Sequence, residues 1–182
     1  MWVYVLVGIV VLLLAYVFFT YNGLIKLSNK VKEAFATMDV YLKKRWDLIP
    51  NLVEAVKGYA RHERGTLEDV VGLRSSIYSE LSISDKLNAN EKLTAGISKI
   101  MALAESYPDL KASRNFLDLS AQLAKIEDDI ANSRKYYNAV VRNMNNLVQL
   151  FPSNILAGLF GFKEMTMFEA DKAERDNIKV EL

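Results

Sequence analysis

The chain contains no cysteine, a single histidine and only three prolines. Without cysteine there is no disulfide, no thiolate nucleophile and no cysteine-based metal centre, and the lack suits either side of a membrane. One histidine leaves His62 as the sole imidazole and removes multi-histidine metal sites. Three prolines and eight glycines leave long stretches without a helix breaker. There is no Gly-rich phosphate loop and no low-complexity tract. Charge of one sign is also lacking in excess: 23 Lys and Arg face 22 Asp and Glu, with no basic block. No nucleic-acid partner is expected from such a balance.

Charge is missing altogether from residues 1–19, and Lys26 is the first ionised side chain. The run WVYVLVGIVVLLLAYVFF, wound as a helix, covers ~28 Å at 1.5 Å per residue, close to a hydrocarbon thickness of ~30 Å. Trp2, Tyr4, Tyr16 and Tyr21 stand near its ends, where amphipathic rings favour the headgroup layer. A cleaved signal peptide fits less well. No Lys or Arg precedes the run, it exceeds the usual apolar core of a signal, and its exit Phe-Phe-Thr-Tyr-Asn has no small-x-small site. Residues 1–21 are therefore expected to be a retained transmembrane anchor contacting the lipid bilayer. Lys26, Lys30, Lys32, Lys43, Lys44 and Arg45 follow it. Their resistance to translocation predicts a single-pass protein of the cell (inner) membrane, N-terminus out and the remainder in the cytoplasm.

The remainder reads as helical. Phe116, Leu119, Leu123, Ile126, Ile130, Ser133, Tyr137, Val140, Met144, Leu147 and Phe151 step by threes and fours, a coiled-coil-like seam with one polar member. Lys125, Asp128, Asp129, Asn132, Lys135, Asn138, Arg142, Asn145 and Gln149 make the opposite face polar. Leu24, Leu27, Val31, Ala34, Met38 and Tyr41 repeat the spacing. So do Ile49, Leu52, Val56, Tyr59, Thr66, Val70, Leu73 and Ile77, and, more briefly, Leu93, Ile97, Ile100 and Leu103. Either Asp47 caps a helix with Pro50 in its first turn, or Pro50 kinks one continuous helix. Residues 82–90 read as a loop, Tyr107-Pro108-Asp109 as a break, and Pro152 as the end of the long helix. The fold class is all-α: the anchor followed by an up-and-down antiparallel bundle of about four helices, at about 22–46, 48–80, 86–106 and 111–150. Gly23 is a candidate flexible point. The domains are then 1–21 anchor, 22–162 bundle and 163–182 charged tail.

Catalytic constellations are sparse. His62-Glu63-Arg64-Gly65-Thr66 lacks the second histidine of a zinc-protease helix, and the reading is no enzyme, no metal and no cofactor. Neighbouring helical carboxylates point about 100° apart, so Asp128 and Asp129 belong to a solvated face rather than an acid/base pair. Ser153 has no fitting histidine motif. Phe160, Phe162 and Phe168 follow Pro152. They either fold back over one end of the bundle or dock on a membrane surface or partner.

Particular blocks stand out: Tyr21-Asn22, Asp39-Val40, Leu42-Lys43-Lys44-Arg45, and Asp47-Leu48-Ile49-Pro50-Asn51-Leu52-Val53-Glu54. Further on come Val56-Lys57-Gly58-Tyr59-Ala60 with His62-Glu63, Tyr107-Pro108-Asp109-Leu110-Lys111-Ala112, Tyr137-Asn138, Phe151-Pro152-Ser153-Asn154 and Phe160-Gly161-Phe162. In this order the chain resembles the LemA family of bacterial membrane proteins from the anchor to about Phe168. Trp46, where that family often has histidine, and Phe35, where it often has tryptophan, depart from the pattern but keep bulk. The resemblance implies an N-out single-pass topology, an up-and-down bundle in the cytoplasm and no established molecular activity, with some relatives tied to building magnetosome membranes. The expected function is a membrane-anchored scaffold or adaptor. Lys57, Tyr59, His62, Glu63, Phe160, Phe162 and Phe168 would contact an unknown protein partner or the membrane. The alternatives are a membrane-shaping homo-oligomer, in which Gly8 offers a weak small-residue contact, and a metal site around His62, Glu63 and Glu54.

Overall fold

A computed structural model describes residues 1–60, 64–72 and 78–168. Among them every regular element is helical: α1 Trp2–Lys57, α2 Arg64–Gly72, a 3-10 turn Tyr78–Glu80, α3 Ile83–Glu105, α4 Pro108–Lys111, α5 Arg114–Gln149 and α6 Ser153–Leu159. The chain divides into two compact units. One comprises Met1–Thr37 and Ser133–Leu182, the other Met38–Asn132, and α1 and α5 contribute to both.

In the second unit α1 supplies Met38, Leu42, Trp46, Leu48, Ile49, Leu52, Val53 and Val56 to the core. They face Leu67 and Val70 of α2, Leu93, Ile97, Ile100 and Ala104 of α3, Leu110 of α4, and Phe116, Leu123 and Ile130 of α5, all buried. Asp39 reaches Lys86, and Arg45 reaches Asn90 and Thr94, so α3 runs parallel to α1. Arg45 also meets Glu127, while Asn51 and Glu54 share a groove with Asn115 and Asp118. Advancing along α1 is thus retreating along α5. This is the up-and-down arrangement, and α2 and α4 pack on α3.

The first unit contains the apolar run and, beyond it, an antiparallel pairing of α1 with α5. Leu24, Val31 and Ala34 are buried, as are Ser133, Tyr137, Val140, Val141 and Met144. Phe35 meets Tyr137 edge-on with ring centres 6.1 Å apart. A methyl group on Gly23 would lie 3.9 Å from Leu147 Cδ1, ordinary contact distance, and α1 continues through Gly23 without a break.

Three boundaries differ from the sequence reading. Pro50 lies inside α1 and Asp47 is helical rather than a cap. Proline in a helix interior costs about 3 kcal/mol because it cannot donate to the carbonyl four residues back. Burial of Trp46, Leu48, Ile49, Leu52 and Val53 on both sides of it opposes that cost. In place of a helix over 48–80, α1 stops at Lys57, next to Gly58, and Val56 O accepts from the N–H groups of Tyr59 and Ala60. The segment read as a loop over 82–90 is helical from Ile83, because the Ser82 hydroxyl accepts the Asp85 N–H at 3.1 Å and caps the helix start. One seam position also fails. Phe151 is 80% exposed, since α5 ends at Gln149 and residue 151 no longer follows its repeat. Ile130, at the fully covered centre of the stripe, should lose about 4 kcal/mol as Ile130→Asp in chemical denaturation of the detergent-solubilised chain. Asp128→Ala, on the exposed face, should stay within about 0.5 kcal/mol.

Candidate interaction surfaces

Arg45 sits in the basic stretch behind the apolar run, yet only 1% of its surface is exposed. A guanidinium taken out of water needs all its donors engaged. Nη1 donates to Asn90 Oδ1 (3.0 Å), Nη2 donates to Thr94 Oγ1 (2.6 Å), and Nε faces Glu127 Oε1 at 3.0 Å. Thr94 in turn donates its hydroxyl to Asn90 O at 3.0 Å. One side chain therefore joins α1, α3 and α5. Sequence reasoning missed this pair: Arg45 counted as a topology signal, and nothing marked Glu127, next to Asp128 and Asp129, as its partner.

A second polar cluster also joins α1 to α3. Tyr78 donates to Asp39 Oδ1 and Lys86 donates to Asp39 Oδ2, each at 2.7 Å. The Lys86 ammonium stands 4.8 Å from the Tyr78 ring centre, and Trp46 packs against that ring at 5.4 Å. Burial above all, then the hydrogen bond to Asp39 and its charge, pushes the Tyr78 phenol well above its ordinary 10.0. Tyr78 is thus held neutral as a donor, a positioning role rather than that of a base. Trp46, the departure noted in the sequence, is half of this aromatic pair, as Phe35 is of the pair with Tyr137.

Asn51 and Glu54 of the DLIPNLVE block, with Ala55, line an open groove of about 550 Å³ against Asn115, Asp118, Leu119 and Gln122 of α5. Lys57 borders it, exposed and paired to Glu54 at 3.0 Å, and Tyr59 is exposed in the turn beyond α1. His62 and Glu63 lie outside the described residues, and with them the metal alternative. Among the described residues no three His, Asp or Glu side chains converge as metal ligands. The groove offers the amide groups of Asn51, Asn115 and Gln122 and the carboxylates of Glu54 and Asp118.

The aromatic segment belongs to the other unit. After α6, Gly161 adopts φ +74°, the left-handed conformation that glycine alone takes without strain. Phe162 N–H then reaches Ala157 O at 2.9 Å and Gly161 N–H reaches Gly158 O at 3.3 Å, a Schellman closure. The closure brings Phe160 and Phe162 to one ring: their centres lie 4.8 and 6.3 Å from that of Tyr21. Beyond them the chain runs extended along α5. Asn145 clasps both backbone groups of Met165, and Asn138 both of Phe168, at 2.8–2.9 Å. Tyr137 donates to Thr166 O at 3.1 Å, and burial raises its own pKa. The spacing has a simple origin. Seven helical residues rise ~10 Å, as do three extended ones. Phe168 packs edge-on against Tyr137 with Arg134 over its face. Phe160, Phe162 and Phe168 thus fold back on α1 and α5, and Asn138 and Asn145, read as solvated, are the clamp that holds them. Ser153 is structural, donating its hydroxyl to Leu150 O at 2.9 Å.

Removing the Arg45 network should be expensive: Arg45→Ala is expected to cost about 3 kcal/mol in denaturant unfolding, and Glu127→Gln only about 1 kcal/mol because Glu127 keeps contact with water. Raised phenol pKa values also predict an alkaline weakness. The unfolded chain gives up these protons near pH 10 and the folded chain later, so stability is full below pH 10 and falls as pH rises beyond it. Tyr78→Phe should flatten that decline, leaving the smaller part due to Tyr137, when unfolding is followed from pH 8 to 11.

Comparison with known proteins gives a consistent result. The LemA family model matches residues 34–182. Protein LemA of Metamycoplasma hominis is 27% identical over 161 residues, which is 86% of this chain and 72% of that protein. Magnetosome protein MamQ 2 of Paramagnetospirillum magneticum is 24% identical over 190 residues, 90% of this chain and 70% of its own length. Magnetosome protein MamQ of Magnetospirillum gryphiswaldense is 28% identical over 87 residues, 48% of this chain and 32% of that protein.

Proposed function

The chain belongs to the LemA family, and from that premise we propose that it is a membrane-anchored helical scaffold that holds a protein partner at the bilayer. Residues 1–21 cross the inner membrane with the N-terminus outside. Residues 22–162 form the cytoplasmic helical part, and 163–182 its tail. One observation carries this reading. Every large apolar side chain from residue 2 to residue 14 is at least half exposed, although the same helix goes on to supply buried core residues. Left in water such a surface forgoes the ~25 cal/mol per Å² that burial contributes, whereas lipid covers it and the helix satisfies its own backbone. The groove at Asn51, Glu54 and Lys57 supports a partner recognised by hydrogen bonds, since the chain's near-zero net charge gives no general attraction.

Because the chain has no cysteine, topology can be read from one introduced residue. Lys125→Cys should resist a membrane-impermeant maleimide in intact cells and react after lysis; labelling from outside would reverse the orientation. Photo-crosslinkers at Lys57 and Phe160 should yield a discrete adduct with another protein, weakened by Glu54→Lys. Adducts made only with lipid and further copies of the chain would replace the adaptor reading with self-assembly. Gly8, with nothing within 4 Å of an added methyl, leaves room for that close approach.

A further inference from the structure

Helix α6 is apolar on two sides, and only one is covered. Ser153, Leu156 and Ala157, spaced three and four apart, are buried. Ile155 and Leu159, one turn apart on the other side, are exposed, Leu159 by 74%. Leu150 and Phe151, in the turn that leads into α6, are exposed as well, and Phe160 at its end is half-exposed. The exposed side of α6 thus carries Ile155 and Leu159 beside the polar Asn154, as on a helix lying at the boundary between an apolar and an aqueous phase.

The position of this face decides what covers it. Phe160 and Phe162 lean on Tyr21, which stands two residues beyond the apolar run at the level where aromatic rings collect in a bilayer. Leu159 adjoins Phe160, and Ile155 lies ~6 Å further back along α6. The C-terminal end of α6 therefore lies beside the end of the α1 apolar run. Lys26, just past Tyr21, and Lys163, next to Phe162, are both exposed and would place ammonium groups among the headgroups. A second copy of the chain is a poorer occupant. Stable protein interfaces use ~20–30 residues a side, and this patch presents only a few side chains.

We propose that Leu150, Phe151, Ile155 and Leu159 lie in the interfacial layer of the same bilayer that the α1 run crosses, so that α6 is a second, peripheral membrane contact. The inference rests on the anchor reading above, and its test separates the two. The full chain carrying Ile155→Cys or Leu159→Cys is labelled with nitrobenzoxadiazole. It is then reconstituted at high lipid dilution in phosphatidylethanolamine–phosphatidylglycerol vesicles containing a lipid spin-labelled near the top of its acyl chain. Both probes should shift to the blue and lose most of their emission to the spin label, while a probe at exposed Lys135 stays bright. Unshifted probes, or a blue shift without lipid quenching, would overturn the inference; the latter would mean that residues 169–182 or another copy covers α6. A probe at Leu12→Cys reports the anchor separately. If Leu12 is quenched, by a spin label deeper in the chain, while 155 and 159 are not, the anchor stands and the α6 contact falls. If Leu12 is also unquenched, the anchor reading falls with it.

Discussion

Helix α5 is 36 residues long and polar over most of its circumference, so it persists only where its one apolar stripe is covered. Helix α1 pairs with α5 in both units, through Phe35 and Tyr137 in one and Arg45 and Glu127 in the other, and α2 and α4 pack on α3. Because burial of apolar area is non-directional, the stripe alone would tolerate sliding by a turn. Register comes from the polar groups set into it. Arg45, Asn90, Thr94 and Glu127 join three helices through donors whose geometry admits one alignment, and a slip of one turn would strand a guanidinium away from water.

The other unit uses a comparable device with uncharged groups. A carboxamide carries one donor and one acceptor side, so Asn138 and Asn145 can each satisfy a full residue of extended backbone. The match between seven helical and three extended residues places both clamps in register. This costs the returning segment no side-chain specificity, and leaves Phe168 free to pack on Tyr137 and Arg134. Gly161 turns the chain at the opposite end of that segment and aims two phenylalanines at Tyr21. The blocks that carry the family resemblance near the C-terminus, Tyr137-Asn138, Phe151-Pro152-Ser153-Asn154 and Phe160-Gly161-Phe162, thus have a shared physical task. They fold the chain back against α1 at the edge of its apolar run.

Functionally, the polar groups divide into those consumed by structure and those left at the surface. Arg45, Asp39, Tyr78, Ser153, Asn138 and Asn145 belong to the first class, and their partners account for them. The groove at Asn51, Glu54, Asp118 and Gln122, with Lys57 at its border, belongs to the second. An apolar run, a polar groove and an apolar α6 face are surfaces left uncovered among the described residues.

What the amino-acid order determined by itself was everything that depends on near neighbours. The uncharged run, the period of the stripes on α1, α3 and α5, the tolerance of Ser133 in the seam and the breaks at Pro108 and Pro152 were legible because each reflects 3.6-residue geometry or a missing N–H. Tertiary structure decided the rest. Pro50 could have begun a helix or been carried inside one, and the choice lay with burial on either side of it, to which α2, α3 and α5 contribute. Ser82 was visible as a cap residue, but the weak apolar periodicity of 82–90 hid the helix that it starts. Asn138 and Asn145 read as part of a polar face, and neither Arg45 nor Glu127 revealed a partner, because a polar side chain shows the same periodicity whether it faces water or a buried partner. Their partners lie 20 to 82 positions away in sequence, and no local pattern encodes that pairing.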